Sequence, residues 1–242
     1  MRRRGWIILG TTVVVLLVVL VVADRVANRF AEQQVAQQLR TQLHSEQDPA
    51  VDINGFPFLT QVVAGDFPDI GVRADSVALG PLQRSDLTAE LHHVRIPFSE
   101  IVSGSPEHIT ADQVDGHVRI PAATLAQVAG IGDLHLDPAP GGAITISGNE
   151  TIAGFPTHVA VTAAVAVSDD RIRIQPKALN AHLSALPDIP LNLHDRRLMS
   201  RFAVNLDASK LPMGFHPTTV SAEHDTLLVD ATADHVNLRA RP

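Results

Sequence analysis

The pattern of apolar positions changes at Asp24. Before it, Trp6 to Ala23 reads WIILGTTVVVLLVVLVVA, 18 residues without a charge. As a helix this run extends ~27 Å at about 1.5 Å per residue, close to the ~30 Å hydrocarbon core of a bilayer. Beyond it, to about His44, Gly and Pro are absent and Ala27, Ala31, Val35, Leu39 and Leu43 recur at i, i+4. That spacing predicts a long helix with one apolar stripe. Each i+4 step advances about 40°, so the stripe drifts by roughly 160° and its cover has to wrap around the helix. Gln33, Gln37 and Arg40 occupy the opposite positions, which leaves a solvated amphipathic stalk as the competing reading.

After Pro49 the period becomes two. Val159, Val161, Ala163, Val165 and Val167 give five alternate apolar positions, and shorter alternations cover Val114 to Ile120, Ile144 to Ile146, Ile172 to Ile174 and Phe202 to Leu206. A C-terminal pair is expected around Leu227 to Val229 and Val236 to Leu238. One face of most of these runs is small or polar, which describes an antiparallel sheet covered on one side. The alternation slips by one residue between Ala74 and Val77, and again between Leu91 and Val94. Such slips are the mark of bulges, and bulges bend a sheet, so strong curvature is expected.

Two echoes run through this part. Val94-Arg95-Ile96-Pro97 and Val118-Arg119-Ile120-Pro121 each precede a short helical stretch, and Gly55-Phe56-Pro57 recurs as Gly154-Phe155-Pro156. Strand, proline and short helix form a reused unit, since proline suits the first turn of a helix. Ser184 to Asp195 reads as an extended connector. The organisation is a basic cap over residues 1–5, an apolar segment over 6–23 and a single domain over 24–242.

Charge adds a direction. Arg2, Arg3 and Arg4 precede the apolar run; the chain from Asp24 onward holds the remaining 16 of 19 basic residues against all 26 acidic ones. Positive charge before the run places the N-terminus in the cytoplasm and the domain outside the cytoplasmic membrane, as a retained single-pass anchor or, after cleavage, in a secreted form. An acidic domain argues against nucleic acid as a partner. With no cysteine, there is no disulfide scaffold and no thiol site.

Catalytic signatures are missing. The sequence has no G-x-S-x-G elbow, G-x-x-x-x-G-K-[ST] loop, G-x-G-x-x-G turn or H-E-x-x-H pair. The twelve histidines are scattered, and adjacent His92 and His93 point to opposite faces of their strand. Asp169-Asp170 lies between two strand patterns, where Asp is an ordinary turn former. Neither enzyme activity, nor a cofactor, nor a metal is expected. The distinctive feature is compositional: 45% of residues are apolar, but Trp6 and eight phenylalanines are the only aromatics. A helix stripe inside a bent, one-faced sheet encloses a space lined by Val, Ile, Leu and Ala, filled either by side chains or by acyl chains.

Val51-Asp52-Ile53-Asn54-Gly55-Phe56-Pro57-Phe58-Leu59-Thr60-Gln61 resembles the signature of the LmeA-like phospholipid-binding family of actinobacterial envelope proteins. The resemblance runs from about Ala23 to Leu238, through the Leu211-Pro212 turn with Gly214. It departs at the last hairpin, where Asp225-Thr226 stands in place of Asp-Gly. It implies an α+β fold of tubular lipid-binding (TULIP-like) type, with a long helix rolled into a curved antiparallel sheet, phospholipid in the gap and no catalytic residues. It also implies a cell-envelope role in phospholipid or lipoglycan handling; phospholipid and membrane are the expected partners, and an envelope glycosyltransferase or a lipoglycan-pathway protein is a further candidate, above all under the rival reading below. On that footing Val35, Leu39, Leu43, Phe56, Phe58, Leu59 and Val63 face lipid or close the core. Arg171, Arg173 and Arg197, the last in a cluster with Arg196 and Arg201, are candidates for a headgroup phosphate, which favours bidentate Arg. The rival reading is a closed-core accessory protein that binds its partner through its surface.

Overall fold

A computed structural model describes residues 2–43, 47–79, 82–104, 106–129, 132–152, 155–168, 171–183, 204–207 and 215–238. The apolar run and the striped helix are one element, α1 (Arg2–Leu43), with no break at Asp24. Short helices then alternate with strands: β1 (Ala50–Asn54), α2 (Phe58–Ala64), β2 (Asp66–Leu79), β3 (Leu82–Arg95), α3 (Phe98–Ser103), β4 (Thr110–Pro121) and α4 (Ala122–Ala129). A run of strands follows: β5 (Gly132–Ala139), β6 (Ala143–Ile152), β7 (Phe155–Ser168), β8 (Arg171–Leu183), β9 (Val204–Asp207), β10 (His216–Glu223) and β11 (Thr226–Asn237). The class is α+β, and every described strand pairing is antiparallel.

The strands divide between two sheets, where the apolar pattern predicts one. Six lie in the order β1-β2-β3-β4-β11-β10 and five in the order β5-β6-β7-β8-β9. The chain leaves the first sheet through α4, builds the second as a meander, and returns to finish the first. The runs Leu227 to Val229 and Val236 to Leu238, expected as a closing pair, belong to the single strand β11 and its end. The closing hairpin is β10–β11, turning at His224 and Asp225 with Glu223 opposite Thr226. Both turn residues have positive φ, 43° and 59°, the requirement of a type I′ turn. A tight turn therefore forms without the Asp-Gly pair, one residue upstream of Asp225-Thr226.

Two apolar clusters hold these layers. Phe67, Val94, Ala111, Val114, Ala233 and Val236 form one under α1, β1 and α2, with Ala36, Val51, Ile53 and Phe58 closing it. The second joins Ala122 of α4 and Val220 and Ala222 of β10 to Leu134, Leu136, Ile144 and Ala163 of the second sheet. Val159, Val161 and Ala163 are fully buried and Val165 and Val167 partly so, as their alternation predicts.

The two predicted slips take different forms. Between Ala74 and Val77 the β2–β3 register shifts, and Ser76 there has φ 53°. Between Leu91 and Val94 the register with β2 is unchanged, since Ile70 faces Leu91 and Phe67 faces Val94. The change of phase instead runs across four strands in a row. Phe67 and Ile70, Leu91 and Val94, Ala111 and Val114, and Ala233 and Val236 all serve the first cluster, although three-residue spacing would put each pair on opposite faces of a regular strand. His93 and His235, with φ of 49° and 52°, take up the turn of the backbone within that row.

The three helices after α1 follow proline, as the echo predicts. Pro57 and Pro97 sit at the cap before α2 and α3, and Pro121 ends β4. The other echo carries no shared structure: Phe56–Pro57 is a cis peptide before a helix, whereas Phe155 and Pro156 open β7. The Ser184 to Asp195 connector, Asp169-Asp170, and Leu211-Pro212 with Gly214 lie outside the described residues.

Candidate functional site

The segment from Val51 to Gln61 is bound to α1 by a ladder of polar side chains. Asp24 Oδ1 accepts the Leu59 N–H at 2.8 Å. One turn on, Asn28 Nδ2 donates to the Ile53 carbonyl at 3.3 Å and to Glu32 Oε1 at 3.0 Å. Glu32 Oε1 accepts the Ile53 N–H at 3.1 Å. Asp24, Asn28 and Glu32 follow one another at i, i+4, so they form a stripe of their own beside the apolar one. Asp24 and Asn28 are buried. A D-x-x-x-N-x-x-x-E series inside a helix is the signal that locates this interface; counting only apolar positions passes over it.

The loop before α2 is closed by contact. Gly55 has φ 104°, and a Cβ there would lie 2.5 Å from Gln61 Nε2, so a side chain at this position displaces the buried Gln61. At the other end Gly65 takes the left-handed conformation and caps α2 by donating to the Gln61 and Val62 carbonyls. Its own carbonyl accepts the Ile96 N–H at 2.9 Å, which fixes the start of α3 against the end of α2.

The candidate residues separate into two groups in this frame. Phe58 is buried, 6.2 Å from the Phe67 ring, and closes the first cluster. Leu39 packs against the same cluster from α1. Phe56, Leu59 and Val63 are 55%, 42% and 69% exposed. Val35 is 38% exposed; Ala36, the next i+4 position after Asp24, Asn28 and Glu32, takes the buried place beside it. The Leu43 side chain lies outside the described residues. The Arg25 guanidinium stands 5.1 Å over the Phe56 ring, a cation–π contact.

Two of the headgroup candidates, Arg171 and Arg173, lie on β8 of the second sheet. Arg171 pairs with Ser168 and Arg173 with Ala166, opposite the β7 positions that alternate with the buried valines. Register and exposure place Arg173 on the outer face of the second sheet, and the Arg171 side chain lies outside the described residues. Arg197 lies outside the described residues. Among the described residues, Val18 to Phe30 present an apolar surface along α1, and Val167, Ser168, His216, Pro217 and Thr232 line a shallow open groove.

The perturbed carboxylates connect elements. Glu100 Oε2 accepts the Glu107 and His108 N–H groups at 2.7 and 2.9 Å, and its pKa is lowered, first by the His108 backbone bond. Asp115 is lowered by the Gln113 amide first and by His92 among lesser causes. Asp225 is lowered by the Leu136 N–H, then by His135. Each has a structural partner that accounts for its shift. Among the described residues no three His, Asp or Glu side chains gather as metal ligands.

One described helix is long and apolar enough to cross a membrane, a test that a signal sequence also passes. The family model for LmeA-like phospholipid-binding proteins matches residues 22–232. The chain belongs to that family. The family is phospholipid-binding, and the match takes in the α1 polar ladder, β1 to β10 and the first part of β11. Comparisons with curated proteins and with solved structures gave no match.

Proposed function

We propose that this LmeA-like protein binds phospholipid by its acyl chains, without catalysing a reaction, at the outer face of the cytoplasmic membrane, and serves the assembly of envelope lipid or lipoglycan. The observation that carries this is the match of a phospholipid-binding family to nearly the whole chain. Tubular lipid binding requires a sheet that curves around its helix. The bulge at Ala74–Val77 and the row of phase changes across β2, β3, β4 and β11 supply the kind of irregularity that bends a sheet. Burying an acyl chain is worth about 0.8 kcal/mol per CH₂, so binding needs no charged contact.

The test is chemical. Residues 24–242 are purified without harsh detergent, extracted with organic solvent and examined for phospholipid by mass spectrometry; transfer between vesicles is then measured. Bound phospholipid supports the proposal. A folded, lipid-free domain that neither takes up nor moves phospholipid overturns it, and favours the closed-core accessory protein with an envelope glycosyltransferase as partner.

A further inference from the structure

We infer that α2 and α3 together form a membrane-docking face, which lies in the interfacial layer of the bilayer that α1 enters. This rests on α1 being inserted, and it is independent of whether a lipid enters the protein.

Position comes first. Asp24 is the residue immediately after the apolar run, and its carboxylate holds the backbone of Leu59 in the first turn of α2. The beginning of α2 is therefore fixed at the height where α1 leaves the hydrocarbon. On the far side of α1 the exposed apolar surface does not stop at Ala23. Val26 and Phe30 are 63% and 65% exposed, and Phe30 lies about 9 Å beyond Asp24 along the helix axis at 1.5 Å per residue. The bond from Asp24 to α2 thus lies within the interval that runs from the end of the uncharged run to the exposed Phe30. Arg25 and Arg29 fall in the same interval, where long cationic side chains reach for phosphate.

The surface that α2 and α3 present is largely apolar. Leu59 and Val63 are exposed at i, i+4 on α2, and Phe98 and Val102, 47% and 70% exposed, repeat that spacing on α3. Phe56 adds an exposed ring beside Arg25. No charged residue occurs in α2. The acid of α3, Glu100, is occupied by the Glu107 and His108 backbone and the His108 ring. The two helices hold one relation to each other: the Ile96 N–H donates to the Gly65 carbonyl, and a Cβ on Gly65 would come within 2.5 Å of the Ile96 oxygen. Exposed aromatic and aliphatic side chains flanked by arginine are the composition of a segment that sits among headgroups. The bilayer is the occupant because the hydrogen bond from Asp24 carries these helices to its surface.

The absence of cysteine makes the experiment direct. Val63→Cys, Val102→Cys, Val18→Cys and Glu223→Cys are made singly in the full chain, labelled with a nitroxide and reconstituted in vesicles of phosphatidylcholine and phosphatidylglycerol. Accessibility to oxygen and to a soluble nickel chelate is read by electron paramagnetic resonance. Val18 lies in the span, and Glu223, at the end of β10, is the aqueous control. The expected result is oxygen-favoured accessibility at both 63 and 102, intermediate between the two controls. Nickel-favoured accessibility at either position overturns the inference. Exclusion of both reagents also overturns it, since that reports a protein contact. Each of these failures leaves phospholipid binding to its own extraction and transfer test.

Discussion

Asp225 and Leu136 hold each other from two sheets. The Asp225 carboxylate accepts the Leu136 N–H at 3.0 Å, and the Leu136 carbonyl accepts the Asp225 N–H at 3.1 Å. The Asp225 carbonyl also accepts the Ala122 N–H at 2.7 Å, so the tip of the β10–β11 hairpin meets β5 and the start of α4 at one residue. Asp225→Ala removes the carboxylate and leaves the backbone bonds. The expected outcome is a lowered thermal midpoint with faster amide exchange at Leu136, whereas Asp225→Asn, which keeps an acceptor oxygen, loses less. Hydrogen exchange at Leu136 and a melting curve check both.

The Asp24 to Leu59 bond spans 35 residues and stands in for a local cap, since Pro57 offers no side-chain acceptor to α2. Asp24→Ala is expected to cost about 1 kcal/mol, the usual cost of a lost helix cap, and to loosen α2 from α1 without unfolding the sheets. Limited proteolysis between Gly55 and Gly65, set beside far-ultraviolet circular dichroism, measures the local and global effects separately.

Much of this was legible from the order of residues. The valine alternation of β7, the prolines before α2 and α3 and the long helix follow from side-chain period and proline geometry, which are local. The division into two sheets was not legible, because the same one-faced alternation serves a strand in either sheet. Nor was the polar ladder, because Asn28 and Glu32 look like solvated helix surface until β1 is known to lie against them. At the candidate site, Phe58 and Phe56 have the same local sequence context and differ only in which side of the Pro57 turn faces the first cluster.

Gly65 combines a left-handed φ of 67° with a neighbour that leaves no space for a side chain. Gly65→Ala is expected to destabilise the domain by at least 1–2 kcal/mol from the conformation alone, with the clash against Ile96 added. Gly104, also left-handed but with nothing within 4 Å, serves as the control. Gly104→Ala should show only the conformational share in urea unfolding.

Leu39 packs on the first cluster from a half-buried position. Leu39→Ala is expected to cost roughly 2 kcal/mol, the low end for truncation of a packed leucine. Measuring phospholipid content and unfolding on the same preparation separates a wall of a lipid site from closed packing. Lost lipid with unchanged stability of the lipid-free protein marks the former; lost stability without lipid marks the latter.

Acid should loosen the connections made by Glu100, Asp115 and Asp225, whose pKa values are all lowered in the folded protein. A depressed carboxylate contributes stability above its unfolded pKa and loses it as pH falls toward the folded one. Melting temperature is therefore expected to hold down to the ordinary carboxylate range, about pH 4, and to fall below it. The Asp225→Asn variant should show a shallower fall.

Between Gly10 and Leu43 α1 contains neither glycine nor proline, and its upper half is bolted to β1 and α2. Such a rod has no hinge. Sliding it by one residue to suit a thicker or thinner bilayer would raise or lower the domain by about 1.5 Å and, if each residue kept its depth on the same side, turn it by about 100°. With α1 retained in the membrane, as proposed, bilayer thickness would thereby set the direction in which the domain faces as well as its height.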